Sequence, residues 1–327
     1  VSNWIQILKD GKKEDVSSAR KKLSGPLTRK DLSNSFRVTI GNLARKKLEG
    51  VLKETEKKHD PTSSLRRLNT YMILSLFGSE EVTWLLTGMT NKKAPKDILE
   101  YGILAKSISK NINKNPEPRG SNICDALQSL EKIKKWTDFE NIEIIKKQTL
   151  NNGQQNSDLE KIGIALGSIF ESLQIIAQIK NSKIEGGFEC RDGLGHEKLC
   201  FNIQRDLVIE VSDACRSNWK LNTGPLLHAL NRCVKCCYNL IVKCPTGEFN
   251  TLHKENILFL IQATLNIVDL ANNKMFKENL SSKKTMASVF KDIDLCLNWC
   301  SQLLGSKNKS GWDMEFQWNQ GMEIKVS

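Results

Sequence analysis

Residues 36–58, FRVTIGNLARKKLEGVLKETEKK, put an apolar side chain on one face every three to four positions. Ile40, Ala44, Leu48 and Val51 share that face, and Arg45, Lys46, Lys53 and Lys57 lie mostly off it. This is the period of an α-helix that buries one stripe. His59-Asp60-Pro61 ends it, because proline removes a backbone donor and clashes with the preceding turn. The same period predicts helices over 62–78, 79–88 and 97–112, the last just after Pro95, where proline suits a helix start. It continues at 122–136 and at about 158–180, where Ile162, Leu166, Ile169, Leu173, Ile176 and Ala177 form a stripe. Ser157-Asp-Leu-Glu160 has the spacing of a capping box and is the expected start of that helix. Further helices are expected at 197–218, 225–244, 253–273 and 283–304. Only seven prolines and twenty glycines occur in 327 residues, so few positions interrupt these runs.

Two stretches depart from the helical period. EGGFECRDGLG (185–195) has four glycines in eleven residues and reads as a loop with a short strand at about 184–190. WDMEFQWNQGMEIKV (312–326) alternates: Trp312, Met314, Phe316 and Trp318 point one way and Asp313, Glu315 and Gln317 the other. Alternation resumes with Met322, Ile324 and Val326 after Asn319-Gln-Gly321, which is a hairpin pattern. The expected fold is therefore mainly α, a multi-helix bundle or helical-repeat-like body of about ten helices with a small C-terminal β-hairpin. NKNPEPRGS (113–121) is the expected linker between a basic helical lobe at 1–115 and a helical body at 120–305. The hairpin tail occupies 306–327.

Charge is distributed unevenly. The chain carries a formal net charge of +12, and residues 1–67 hold 17 Lys+Arg against 8 Asp+Glu, which is +9 of that total. The cations come in clusters: Lys12-Lys13, Arg20-Lys21-Lys22, Arg29-Lys30, Arg45-Lys46-Lys47, Lys57-Lys58 and Arg66-Arg67. An exposed helix face also carries lysine for solubility alone. Concentration in the first fifth of the chain favours a binding role, because clustered cations create a field that attracts polyanions. Nucleic acid is the expected partner, with RNA ahead of DNA, held through phosphates whose neutralisation releases counterions. Trp4, Phe36 and Tyr71 are the nearby aromatics, and each stands at an expected core position. The reading is thus phosphate contact without base stacking. An anionic membrane is the weaker candidate. The apolar stripe of 36–58 includes Gly41 and Ala44 and lacks the bulky aromatics of an interfacial anchor.

Ten cysteines raise the question of metal. Cys233-Val-Lys-Cys236 gives one knuckle-like pair, and Cys190, His196 and Cys200 form a looser cluster beside the glycine-rich loop. A structural zinc site takes about four such ligands. Leu226, Leu230, Cys233, Cys237, Leu240 and Cys244, however, are spaced 4-3-4-3-4, the buried seam of a helix. Cysteine packs there as a small hydrophobe. No metal and no cofactor are expected. The start, VSNWIQILKDGKK, has no apolar signal core, and no run reaches the roughly 18–20 apolar residues of a membrane span. The expected compartment is intracellular, with reduced thiols.

Phosphate-loop, dinucleotide-loop, H-E-x-x-H and G-x-S-x-G patterns do not occur. Asp313, Glu323 and Lys325 make a faint nuclease-like set, but they alternate away from Trp312 and Phe316, as on a solvated strand face. The expected function is a non-enzymatic nucleic-acid-binding, nucleoprotein-like structural protein. Its helical body or hairpin would serve self-association or a protein partner. The alternative is an α-helical interaction scaffold or adaptor without nucleic acid.

Overall fold

The structure, a computed structural model, describes residues 2–29, 31–57, 61–92, 95, 97–136, 152–188, 195–197, 199–200, 202–204, 206–207, 314–316 and 324–326. The chain divides into two compact units, 1–204 and 205–327. In the second unit the described strands are β1 (Met314–Phe316) and β2 (Ile324–Val326). They pair antiparallel with Met314 opposite Val326 and Phe316 opposite Ile324. Apart from these six residues, the expected hairpin and its turn lie outside the described residues. So do the helices expected beyond 207 and the cysteines from Cys215 onward.

The first unit is helical. Its described α-helices are α1 (Ser2–Asp10), α2 (Lys13–Leu27), α3 (Asn34–Lys57), α4 (Pro61–Leu74), α5 (Glu80–Met89), α6 (Ile98–Lys114), α7 (Gly120–Trp136) and α8 (Asn152–Ala177). A short 3-10 turn follows at Asn181–Lys183. Apolar periodicity gives these helices their packing faces. On α6, Leu104, Ala105, Ile108 and Ile112 are buried, and on α8, Leu166, Ile169, Phe170, Leu173 and Ile176 are fully enclosed. The two helices pack together, and they approach closely at Gly102. A Cβ there would come within 3.0 Å of the Ala165 Cα and 2.9 Å of the Ser168 Cβ, so only glycine fits without displacement. Lys106 of α6 also pairs with Glu171 of α8 at 2.5 Å.

Sharp stops separate the helices. Gly78, at φ +66°, turns the chain after α4, and a side chain there would strike the Lys114 carbonyl. Ser79 then caps α5, its Oγ accepting from the Val82 amide at 3.2 Å. A buried polar network ties the ends of α4, α5 and α6 together. The Thr83 hydroxyl donates to Asn111 Oδ1 at 2.8 Å, and Asn111 Nδ2 donates to the Leu74 carbonyl at 3.1 Å. In this dry setting each group would be costly to strand without a partner.

The structure departs from the sequence reading in several places. The start of α8 lies at Asn152, not at the capping box of Ser157 and Glu160. The reason is that S-x-x-E also places two residues one turn apart in a helix interior. Gln154 and Gln155 ahead of it carry nothing that stops a helix. Residues 115–119 of the proline-rich stretch form a five-residue connection between α6 and α7. It is bonded at both ends: Asn115 Oδ1 accepts from the Glu117 amide, and the Pro118 carbonyl accepts from the Glu185 amide. In place of the strand expected at 184–190, the described residues show one isolated bridge, Arg119 to Glu185. Gly186 and Gly187 follow at φ +77° and +73°. Among the described residues, no helix is long and apolar enough to cross a membrane.

Candidate nucleic-acid interface

Helix α2 shows how the basic surface is made. Val16, Ala19 and Leu27 are buried and Leu23 is half-buried, a stripe at helical spacing. That stripe leaves Lys13, Lys21 and Lys22 exposed, and Lys12 is exposed just before the helix begins. Along the axis, Lys13 and Lys21 lie about 12 Å apart. On α3 the buried face runs through Leu48, Val51, Leu52 and Thr55, and Lys46 and Lys47 are exposed. Lys12, Lys13, Lys21, Lys22 and Lys46 have no acidic partner among the described residues.

The arginines behave differently. Arg66 is buried, and its Nη2 donates to the Gly11 carbonyl at 2.7 Å, fastening α4 to the α1–α2 connection. Arg67 makes a forked contact with Glu100, Nε to Oε2 at 2.8 Å and Nη2 to Oε1 at 2.6 Å. It also donates to the Thr55 carbonyl at 2.8 Å and to Ser64 Oγ at 3.1 Å. Burial opposes the charge on Arg67, but the hydrogen bonds and field of Glu100 outweigh that effect, and its pKa is raised. Beside this pair, burial drives the Tyr71 phenol upward, and the Glu100 charge adds to the shift. Arg20 is half-buried and reaches the Met72 sulfur at 2.8 Å. Arg45 is held by Glu81 of α5.

Arg29 remains exposed and pairs with Asp31 at 2.5 Å, a contact that lowers the Asp31 carboxyl pKa. Lys9 pairs with Glu54, and Lys53 with Glu49. Lys30, Lys58 and the Lys57 side chain lie outside the described residues. The clusters read from sequence therefore divide by residue type. Apart from exposed Arg29, the guanidinium groups, which fork onto carboxylates and carbonyls, are drawn into packing, while the described cluster lysines stay in solvent. Arg37, which the cluster pattern passed over, anchors the loop before α3. Its guanidinium donates to the Leu27 and Arg29 carbonyls at 3.4 and 2.9 Å and to Asn34 Oδ1 at 3.0 Å.

The aromatics also require correction. Tyr71 is buried and Trp4 half-buried, but Phe36 is 48% exposed, off the packing stripe of α3.

The expected cysteine cluster is only partly in view. His196 is buried, with its ring edge-on to Phe188 at 5.5 Å, and its Nε2 lies 2.8 Å from the Ile179 carbonyl. The carbonyl fixes Nε2 as the donor, so the neutral tautomer holds its lone pair on Nδ1, which has no partner among the described residues. Cys200 is buried, and burial pushes its thiol pKa upward. Cys190 lies outside the described residues. Among those residues, no group of three or more His, Cys, Asp or Glu side chains is placed to hold a metal.

Burial lowers the His196 pKa, with smaller opposing effects from Ile179 and Glu197. The neutral ring is the folded form, so the contribution is complete above the unfolded value of about 6.5. It declines as pH falls below that value towards the lowered folded pKa, because the unfolded chain takes up the proton first. Thermal melts from pH 7 to pH 5 should show a falling Tm, and His196→Gln should flatten that decline. An equal slope in both proteins would refute the assignment.

The candidate surface is thus a set of exposed lysines on α2 and α3, with the connecting loop and Phe36 between them in sequence. No protein-family model matches the chain, and no curated protein and no solved structure matches it.

Proposed function

We propose that residues 1–57 form a polyanion-binding surface and that the chain acts without catalysis as a nucleoprotein-like structural protein, with RNA its preferred partner over DNA. The observation that carries this reading is the state of Lys12, Lys13, Lys21, Lys22 and Lys46. All five are exposed without an acidic partner among the described residues, in the segment holding most of the chain's excess charge. An ammonium left in water costs nothing to hold ready. It gains free energy when a phosphate displaces condensed counterions. Arg66 and Arg67 contribute differently, by bracing the helices that display the lysines.

The test is a titration of the whole protein into labelled single-stranded RNA across a salt series. Five phosphate contacts should give log K against log salt a slope of about −3.5. A flat dependence, or no binding at low salt, removes the proposal.

A second reading is a helical interaction scaffold. It is favoured by Trp84 on α5, 44% exposed, and Ile164 on α8, 39% exposed. Partially exposed apolar side chains of this size mark protein contacts when they gather into patches.

A further inference from the structure

We propose that the first turn of α3 is a base-stacking platform that directs this surface to single strands, with Phe36 as the stacking ring. The inference rests on the polyanion reading above and narrows its ligand class. Phe36 is 48% exposed, and its amide donates to Ser33 Oγ at 3.2 Å, which fixes the turn. Arg37, the next residue, holds the preceding loop by bonds to the Leu27 and Arg29 carbonyls. The ring and the exposed Arg29 guanidinium therefore belong to one braced piece of chain. Among the described residues Arg29 pairs with Asp31, in an exposed pair whose attraction solvent largely screens. A phosphate can compete for such a cation.

Exposed Ser35 and Asn34 flank the ring and offer further polar contacts. Lys46 stands on the same helix, about 15 Å along its axis from Phe36. An aromatic face beside tethered cations is the arrangement that holds unpaired bases, because every base has a π-face and a single strand leaves it open. A duplex keeps its bases stacked on one another and would meet only the cations.

The same helix also exposes Leu43, at 70%. Phe36 and Leu43 are seven residues apart on one face, and together they could meet an apolar surface. Nucleic acid is the occupant, because the turn that carries the ring also carries exposed Asn34 and Ser35 and is braced to the backbone of exposed Arg29, and a stacking base requires the ring rather than its bulk.

Fluorescence anisotropy on the full chain separates these cases, using a short U-rich RNA, the matching single-stranded DNA and a duplex of the same length. Phe36→Leu keeps an apolar side chain and removes the π-face. It should weaken both single strands about 5- to 150-fold and leave the duplex within about twofold. Phe36→Trp should restore single-strand binding, and Leu43→Ala should change none of the three. Loss confined to the RNA overturns stacking as the source of the effect, because the ring would meet the bases of either single strand. Unchanged single-strand affinity in Phe36→Leu overturns the inference while the lysine reading stands. Equal losses in Phe36→Leu and Leu43→Ala, with co-sedimentation on phosphatidylserine vesicles, overturn it in favour of an apolar docking face. If the native protein binds none of the three ligands at low salt, the polyanion reading itself has failed. Circular dichroism of each variant confirms that the fold is retained.

Discussion

Glu100→Gln should destabilise the first unit by about 3–5 kcal/mol, the cost of leaving a buried charge without its partner. Glu100 is fully buried, and the Arg67 side chain is only 14% exposed. The two share a forked contact, so losing the carboxylate charge strands a guanidinium that water barely reaches. Thr55 and Ser64 still accept from Arg67, but neither carries a charge to offset it. In a unit of this size the loss corresponds to a Tm decrease of about 6–20 °C. The double variant Arg67→Met with Glu100→Leu should recover most of it, since apolar replacement of a buried pair removes the desolvation cost along with the attraction. Thermal melts of the single and double variants check this. A single variant as stable as the native protein would mean that the pair is wet.

Phe170→Ala should cost about 3–5 kcal/mol, from lost burial and from the cavity left behind. Phe170 is among the largest fully enclosed side chains and lies on α8, which packs on α6. That interface is already at its closest approach at Gly102, so the backbones cannot move inward there to refill the space. Ile164→Ala on the same helix is the control. Ile164 is exposed and should cost no more than about 0.5 kcal/mol. Urea denaturation should separate the two variants clearly, and comparable midpoints would contradict the assigned packing of α8.

The helices of the first unit were legible because their periodicity is redundant: the stripe Leu166, Ile169, Leu173 and Ile176 is buried as its spacing implies. Boundaries were less legible. The start of α8 depends on where chain entropy and packing balance, and a capping pattern carries no information about the turns before it. Phe36 was misplaced for a related reason. Ile40, Leu48 and Val51 define a stripe to within one residue's rotation, but the α3 packing face passes through Leu52 and Thr55, which turns Phe36 to solvent. The basic clusters were visible as composition, but not their division of labour. Whether an arginine pairs across the fold, as Arg67 does with Glu100 thirty-three residues away, depends on contacts between distant segments. No local pattern records them.

On this proposal the exposed lysines of α2 and α3, and not net charge in general, hold an anionic polymer. The most direct measurement compares single-stranded RNA binding by two charge-reversed proteins at low salt. One carries Glu at Lys12, Lys13, Lys21, Lys22 and Lys46, and the other at Lys180 and Lys183, which are exposed in the segment after α8. The first should lose binding, and the second should keep native affinity and salt dependence. Native affinity in the first protein, or equal losses in both, would contradict it.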